Sequence, residues 1–215
     1  GESDPETTVG VYGAAGCGDS VLADFVMDAD GSTSFEITIN VAENSTSMLW
    51  LQSQDSAGNL SDCVSVGSYQ HDNQVPDAPV LSGTDPASPS YSNELSVLGS
   101  AEEGGTVKVH ADSNCASTAL GEGASEDFEE AGVPIEVDDN SELTLYATIT
   151  DAAGNISECS ATGVSYREDS IVPDAPVLLG TVPGSPGSSL SPVLTGTAEI
   201  GVTVQVFQDG DCEGL

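Results

Sequence analysis

A long internal repeat constrains the fold of this chain more than any other feature. Matching V-P-D-A-P-V junctions surround Pro76 and Pro173, which are 97 residues apart (173 − 76). Other landmarks keep this spacing to within one residue: the D-x-x-G-N turns at 55–59 and 151–155, the cysteines that follow them at 63 and 159, and the T-V-x-V segments at 8–11, 106–109 and 203–206. A regular period of this length indicates one folding unit used repeatedly along the chain.

The proline junction shows where each repeat begins. Proline fixes φ and lacks a backbone N–H, so V-P-D-A-P punctuates the chain. On this phasing residues 76–172, the central segment, form a complete repeat. Residues 1–75, the first segment, lack the N-terminal strands of a repeat, and residues 173–215, the last segment, contain only the N-terminal part of a further one. We therefore expect a window from a longer array. The alternative is that the last segment of one molecule completes the first segment of another by strand donation.

Period-2 patterning within the central segment predicts β-strands. Leu143, Leu145, Ala147 and Ile149 alternate with polar residues, which is typical of a strand with one buried face. Further strands are predicted at 80–83, 94–100, 106–111, 134–137 and 157–167, and residues 112–132 are predicted to be loop or irregular edge, with at most one helical turn at 124–131. About seven short strands per repeat predict an all-β fold of tandem immunoglobulin-like β-sandwiches, with about 97 residues per repeat.

Charge and missing motifs narrow the classes of function. The chain has 36 acidic side chains against two basic ones, Lys108 and Arg167, for a net charge of −34. Such a chain repels nucleic acid and anionic membranes, and it favours surroundings rich in salt or divalent cations. The signatures of zinc proteases, nucleophile elbows, phosphate-binding loops and dinucleotide sites are missing from the sequence. We therefore do not expect an enzyme.

The repeated motifs resemble the tandem bacterial Ig-like domains of large secreted adhesins and cell-surface fibres. The motifs that carry the resemblance are G-S-A-E-E-G-G-T-V-K-V at 99–109, G-T-A-E-I-G-V-T-V-Q-V at 196–206, L-T-L-Y-A-T-I-T-D-A-A-G-N at 143–155 and the D-x-x-x-P-D-A-P linker. The resemblance covers the whole chain. It implies an extracellular rod at the cell surface, with calcium stiffening the junctions between domains. The cysteine pair in each repeat departs from the usual pattern of this family.

The five cysteines favour disulfide bonds over a metal site. Cys17 pairs most naturally with Cys63, and Cys115 with Cys159, because each pair lies inside one repeat at equivalent positions. Cys212 is expected to pair with a cysteine beyond the end of this sequence. No C-x-x-C motif is present, which argues against zinc, and disulfides indicate an oxidising compartment.

Calcium is the expected cofactor, held at the junctions. A calcium ion takes about six to eight oxygen ligands, and each D-x-x-G-N turn is expected to lie near the linker that follows its own repeat. Two ligand sets are therefore predicted: Asp55, Asn59, Asp72 and Asp77 at the first junction, and Asp151, Asn155, Asp169 and Asp174 at the second. The structural alternative is that Asp caps backbone N–H groups while Gly takes positive φ. Asp28 and Asp30 form a lesser candidate site, and the carboxylates between 126 and 130 are expected to be solvated or to bind cations loosely.

These expectations combine into one leading function and two alternatives. The leading hypothesis is a structural segment of an extracellular rod or filament. Its partners would be neighbouring repeats, like chains in a filament and a surface receptor, without nucleic-acid binding or direct membrane insertion. The first alternative is an adhesive module for a glycan or protein receptor, which an exposed aromatic patch around Trp50 would favour. The second is an accessory repeat array of a secreted enzyme. His71 and His110 receive no role.

Overall fold

The regular structure of the chain is almost entirely antiparallel β-strand. The computed structural model describes residues 7–18, 21–26, 34–208 and 210–212, without the side chains of residues 25 and 26. Within these ranges the one helical element is a 3₁₀ turn, Ser125–Asp127. None of the described helical structure is long and apolar enough to cross a membrane. The predicted all-β class is confirmed.

The described residues of the first segment form one antiparallel sheet. Its strands are β1 (Thr8–Tyr12), β2 (Val21–Val26), β3 (Ser45–Gln54) and β4 (Val64–His71). They lie in the order β2-β1-β3-β4. Val9 and Val11 of β1 are buried, as their alternation in the T-V-x-V motif predicts. Leu49 and Leu51 of β3 are half-buried.

The central segment is a seven-strand β-sandwich. Its strands are β5 (Val80–Asp85), β6 (Glu94–Ser100), β7 (Thr106–His110), β8 (Gly121–Ala124), β9 (Val133–Glu136), β10 (Glu142–Thr150) and β11 (Val164–Arg167). One layer has the order β5-β6-β9 and the other has the order β11-β10-β7-β8. All the pairings in both layers are antiparallel. The predicted sandwich is therefore present.

Side chains from both layers build one hydrophobic core. Val97 and Val133 come from the three-stranded layer, and Val107, Val109 and Leu145 come from the four-stranded layer; all are fully buried. Burial of each such side chain stabilises the fold by about 1.5–3 kcal/mol. Aliphatic side chains thus form most of the core, and Phe128 and Tyr166 are its fully buried aromatic members.

Strand β8 lies at the edge of the four-stranded layer, within residues 112–132, which the sequence predicts to be loop or irregular edge. Gly121 and Gly123 are residues typical of loops, but both face the neighbouring layer, and Gly121 is the more closely packed of the two. A Cβ on Gly121 would lie 2.3 Å from the carbonyl oxygen of Pro134 in the neighbouring layer. The glycines therefore allow the two layers to approach each other at this edge.

The last strand of the central segment is shorter than predicted, because side chains replace part of a backbone ladder. The strand runs from Val164 to Arg167 instead of beginning at residue 157. The hydroxyl of Ser157 accepts a hydrogen bond from the N–H of Ile149, and the hydroxyl of Ser160 accepts one from the N–H of Ala147. These serines satisfy the edge of β10 without continuing the strand.

The last segment begins as a copy of the β5–β6 hairpin. β12 (Val177–Val182) pairs with β13 (Val193–Thr197). Leu178 lies opposite Gly196, as Leu81 lies opposite Gly99, and a register shift follows at the same place in both hairpins. The T-V-Q-V segment at 203–206 is not part of a strand in the structure.

Candidate functional site

The two D-x-x-G-N turns have the same internal hydrogen bonds. In the central segment, Oδ1 of Asp151 accepts from the N–H groups of Ala153 (2.9 Å) and Asn155 (2.8 Å), and Oδ2 accepts from the side-chain amide of Asn155 (2.9 Å). In the first segment, Asp55 makes the equivalent bonds to Ala57 and Asn59. The turn aspartates therefore do what the structural alternative predicts, and they hold their own loop closed.

These bonds also stabilise the charged state of both turn aspartates. The side-chain amide of Asn155 lowers the pKa of Asp151 below its usual range, and backbone N–H groups of the turn add to this effect. The side chain of Asn59 lowers the pKa of Asp55 in the same way. Hydrogen bonds donated to a carboxylate favour its ionised form. Both turns therefore present a negative charge over a wide pH range.

The structure does not bring each turn together with the linker that follows it. β10 and β11 are antiparallel, with Glu142 opposite Arg167, so Asp169 lies near the start of β10 and Asp151 lies just beyond its end. At about 3.3 Å per residue, the nine residues of β10 place these ends roughly 26 Å apart. The same reasoning separates Asp55 from Asp72, because Ser45 at the start of β3 lies opposite His71.

The structure instead brings the second turn to the preceding linker. The side-chain amide of Asn155 donates to the carbonyl oxygen of Asp72 across 3.3 Å. Pro76 is buried at this junction. A crevice of about 520 Å³ lies here, and its lining includes Asp72, Pro76, Asp151 and the turn at 102–104. We call this the first crevice.

Carboxylates are the main chemical feature of the first crevice. Four acidic residues border it: Asp72, Asp151, Glu102 and Glu103. Nevertheless, no group of three or more His, Cys, Asp or Glu side chains within the described ranges is arranged to hold a metal ion. Asp77 and Asp174 are exposed on the two linkers. The first crevice is therefore an acidic surface, and its carboxylates are not the two compact ligand sets that the sequence predicted.

A second crevice lies at the next junction and has a different character. Its volume is about 570 Å³, and Arg167, Asp169 and Ile200 are among the residues that line it. Asp169 forms an ion pair with Arg167 at 2.7 Å. Tyr91 also lines this crevice and is 82% exposed, and Ile200 is fully exposed. The second crevice thus combines apolar and charged groups, which the sequence patterns did not reveal.

Two disulfides join the cysteines in the pairs that their positions indicated. Cys17 bonds to Cys63, with an S–S distance of 2.10 Å, and Cys115 bonds to Cys159 at 2.06 Å. Cys212 is exposed and free. Cys17, Cys115 and Cys212 share a left-handed backbone conformation, with φ of 49°, 49° and 55°. Cysteines at equivalent positions of successive repeats therefore share the same backbone conformation.

Trp50 does not form an exposed aromatic patch. It is half-buried on β3, opposite Tyr12 of β1, and its indole Nε1 is buried without a hydrogen-bond partner among the described residues. Asp28 and Asp30, the lesser candidate site, lie outside the described residues.

One of the carboxylates between 126 and 130 has a structural partner. Glu126 accepts a hydrogen bond from the N–H of Gly104 at 2.9 Å, so it connects its loop to the 102–104 turn.

A pair of asparagine clamps at the segment ends is the main feature that the sequence predictions missed. In the first clamp, the N–H of Asn44 donates to Nδ1 of His71 at 3.0 Å, and Oδ1 of Asn44 accepts from the N–H of Asn73 at 2.8 Å. In the second clamp, the N–H of Asn140 donates to Oε2 of Glu168. Oδ1 of Asn140 accepts from the N–H of Ser170 at 3.2 Å.

Both clamps depend on an unusual backbone conformation. Asn44 and Asn140 are left-handed, with φ of 49° and 54°, a conformation that asparagine tolerates better than most residues. Each clamp joins the loop before a long strand to the linker that leaves the segment. The 96-residue spacing of the two asparagines (140 − 44) is the sequence signal that would have found them.

Comparisons with known proteins add little to this geometry. No protein-family model and no curated protein matches the chain. Among solved structures, the chain is similar to one described as "Biofilm associated protein - BSP domain", with 20% sequence identity and a TM-score of 0.28. The similarity covers 78% of this chain and 25% of that one, so the chain spans about a quarter of that structure's length. Similarity at this level carries no argument about function.

Proposed function

We propose that this chain is a structural segment of an extracellular rod whose junctions are held in a defined geometry. The observation that carries the proposal is the contact between Asn155 and the carbonyl of Asp72, beside the buried Pro76. This contact fixes the linker against the sandwich that follows it. Relative motion of domains is the default when few contacts cross a boundary, so a hydrogen-bonded and buried linker favours a stiff connection.

The disulfides and the charge support a location outside the cell. Disulfides persist in oxidising compartments, and one disulfide lies within the first segment and another within the central segment. A net charge of −34 destabilises a compact chain by self-repulsion unless cations or salt screen it. Both features suit a surface or secreted protein in water that contains divalent cations.

Calcium is the cofactor that we propose for the first crevice. Its oxygen donors would be Asp72, Asp151, Glu102 and Glu103, completed by water, because calcium prefers carboxylate and carbonyl oxygens. When bound, the ion would reduce the repulsion between the linker and the 102–104 turn. The side chains would thereby hold the linker closer to the sandwich.

Thermal melting and small-angle scattering with calcium or with a chelator test this proposal. We expect calcium to raise the melting temperature and to narrow the distribution of molecular lengths. The variant Glu102→Gln with Glu103→Gln should lose most of this response. The matched control, Glu129→Gln with Glu130→Gln, removes the same charge elsewhere and should keep it. An unchanged melting temperature and length on addition of chelator would refute calcium binding.

A second candidate function is adhesion through the second crevice. Tyr91 and Ile200 are exposed there beside Arg167, and an exposed aromatic ring next to polar groups suits a glycan or protein receptor. Tyr91→Ala should then weaken attachment of the chain to a receptor-bearing surface, whereas Tyr69→Ala, at an exposed tyrosine of β4, should not. Equal attachment of both variants and the wild type would exclude this role.

A further inference from the structure

The β12–β13 hairpin exposes the apolar face that its counterpart in the central segment buries. Leu81 and Val97 of the β5–β6 hairpin are 8% and 0% exposed, and both belong to the core that the two layers share. Their counterparts 97 residues further on, Leu178 and Leu194, are 66% and 44% exposed. An apolar groove of about 530 Å³ runs along this face and is lined by both leucines. Contiguous exposed apolar surface of this kind marks an interaction site.

The edge of the same hairpin is also open. In the central segment β6 lies between β5 and β9, whereas among the described residues β13 pairs with β12 alone. An unpaired strand edge is a template for another strand. The hairpin therefore lacks two features that surround its counterpart: a strand beside β13 and a layer over its apolar face.

The first segment has the complementary features. Its sheet β2-β1-β3-β4 corresponds to the layer β8-β7-β10-β11, but none of its described residues forms a counterpart of the β5–β6 hairpin. Ile37, Ile39 and Val41 correspond, 96 residues earlier, to the buried apolar residues at 133, 135 and 137. They are only half-buried, and residues 35–42 form no strand. This stretch therefore occupies the place of β9 without a neighbour like β6.

Charge and size favour docking of the hairpin on this stretch. Residues 176–198 contain no ionisable side chain, although the chain carries 36 acidic ones, and residues 37–42 contain none either. The two surfaces can therefore meet without the like-charge repulsion that opposes other contacts between copies of this chain. A specific interface takes about 20–30 residues a side, and residues 176–197 supply 22 (197 − 176 + 1).

We propose that the β12–β13 hairpin of one copy completes the first segment of a second copy. β13 lies beside residues 37–40 of the second copy, as β6 lies beside β9, and its apolar face packs on the sheet of that first segment. The donating and accepting surfaces differ, so each copy gives one hairpin and receives another. Such a contact joins copies end to end, into an open filament or a ring. The proposal depends only on these two surfaces and does not rest on the proposed function.

The central segment gives the register of the expected contact. Ser96 of β6 pairs with Pro134 of β9, and their counterparts are Val193 (96 + 97) and Thr38 (134 − 96). Because proline has no N–H, this is a pair without mutual hydrogen bonds, in which the side chains are closest. The Cβ atoms of such a pair are about 4.5–5.5 Å apart. Cysteines at the two positions should therefore be within reach of a disulfide between copies.

Oxidative crosslinking of the full chain tests this register. Thr38→Cys with Val193→Cys, in a chain that also carries Cys212→Ser, should give covalent dimers and larger multimers on a gel run without reductant. The control replaces Val193→Cys with Val182→Cys, at an equally exposed valine opposite it on β12. That position is one strand further away, roughly 9–10 Å from residue 38, and should not crosslink. Monomeric product alone, or equal crosslinking of the control, would overturn the proposal.

Sedimentation of the chain without added cysteines tests the assembly itself. In about 1 M salt, where the Debye length is about 3 Å, we expect dimers and larger species that increase with concentration. Leu178→Asp should weaken this association by at least about tenfold, because a buried leucine is lost from the contact. Leu179→Asp is the control, since Leu179 is 70% exposed and takes the place of the exposed Ser82. A wild type that stays monomeric up to about 1 mM, or equal association of both variants, would contradict the proposal.

Discussion

Removal of the Cys115–Cys159 disulfide should destabilise the central sandwich strongly. The bond joins residues 44 apart in the sequence, and neither cysteine belongs to the hydrophobic core. The change Cys115→Ser with Cys159→Ser therefore leaves core packing intact and acts through the unfolded chain. Closing a loop of this length lowers the entropy of the unfolded state by an amount worth about 4 kcal/mol, and measured values are commonly about 2–4 kcal/mol.

Calorimetry and guanidinium denaturation measure this loss. For a domain of this size each kcal/mol lowers the melting temperature by about 4–8 °C, so we expect a decrease of roughly 10–30 °C. Cys212→Ser is the matched control, because Cys212 is free, and it should melt like the wild type. If the free energy of unfolding of the double variant falls by less than about 1 kcal/mol, the entropic reasoning is refuted.

Three further predictions follow from single contacts. Gly99→Ala should lower the free energy of unfolding by about 1–3 kcal/mol, because the added Cβ would lie 2.4 Å from a β5 carbonyl oxygen. Gly123→Ala is the control: the nearest atom to its Cβ would be 3.3 Å away, so its free energy of unfolding should fall much less in the same denaturation assay. Tyr166→Phe should lower the free energy of unfolding by about 1 kcal/mol, because the hydroxyl of Tyr166 donates to a backbone carbonyl at 2.6 Å. Tyr69→Phe, at an exposed site, should leave the free energy of unfolding unchanged. The lowered pKa of Asp151 stabilises its turn above the ordinary aspartate range, and this contribution is lost only as the pH falls through the lowered value. NMR signals of the turn should therefore shift below about pH 4, and a shift near pH 6 would contradict this assignment.

The sequence carried enough information to predict the sandwich and the cysteine pairs. Period-2 alternation in β7 and β10 marks the buried face directly, and burial of Val107 and Leu145 follows from it. The sequence predicts β8 only as loop or irregular edge, because Gly121 allows two layers to approach each other, and such a contact between strands cannot be read from local composition.

The site was harder to predict because it depends on the direction of the strands. The D-x-x-G-N turn and the following linker are close in sequence, but an antiparallel return along β11 carries the chain away from Asp151 to the opposite end of the sandwich. The partner of the turn is therefore the linker that precedes the repeat. The clamps were missed because His71 and Glu168 are unlike in type, although they occupy the same place.

Nuclear spin relaxation of the full chain tests the central claim of a stiff junction most directly. Backbone ¹⁵N relaxation gives the rotational correlation times of the first sheet and of the central sandwich separately. We predict equal correlation times in the wild type and unequal ones in Asn155→Ala, which lacks the bond to Asp72. Asn59→Ala should behave as the wild type, because the side-chain amide of Asn59 bonds to Asp55 of its own turn. Independent tumbling of the two parts in the wild type would contradict the account.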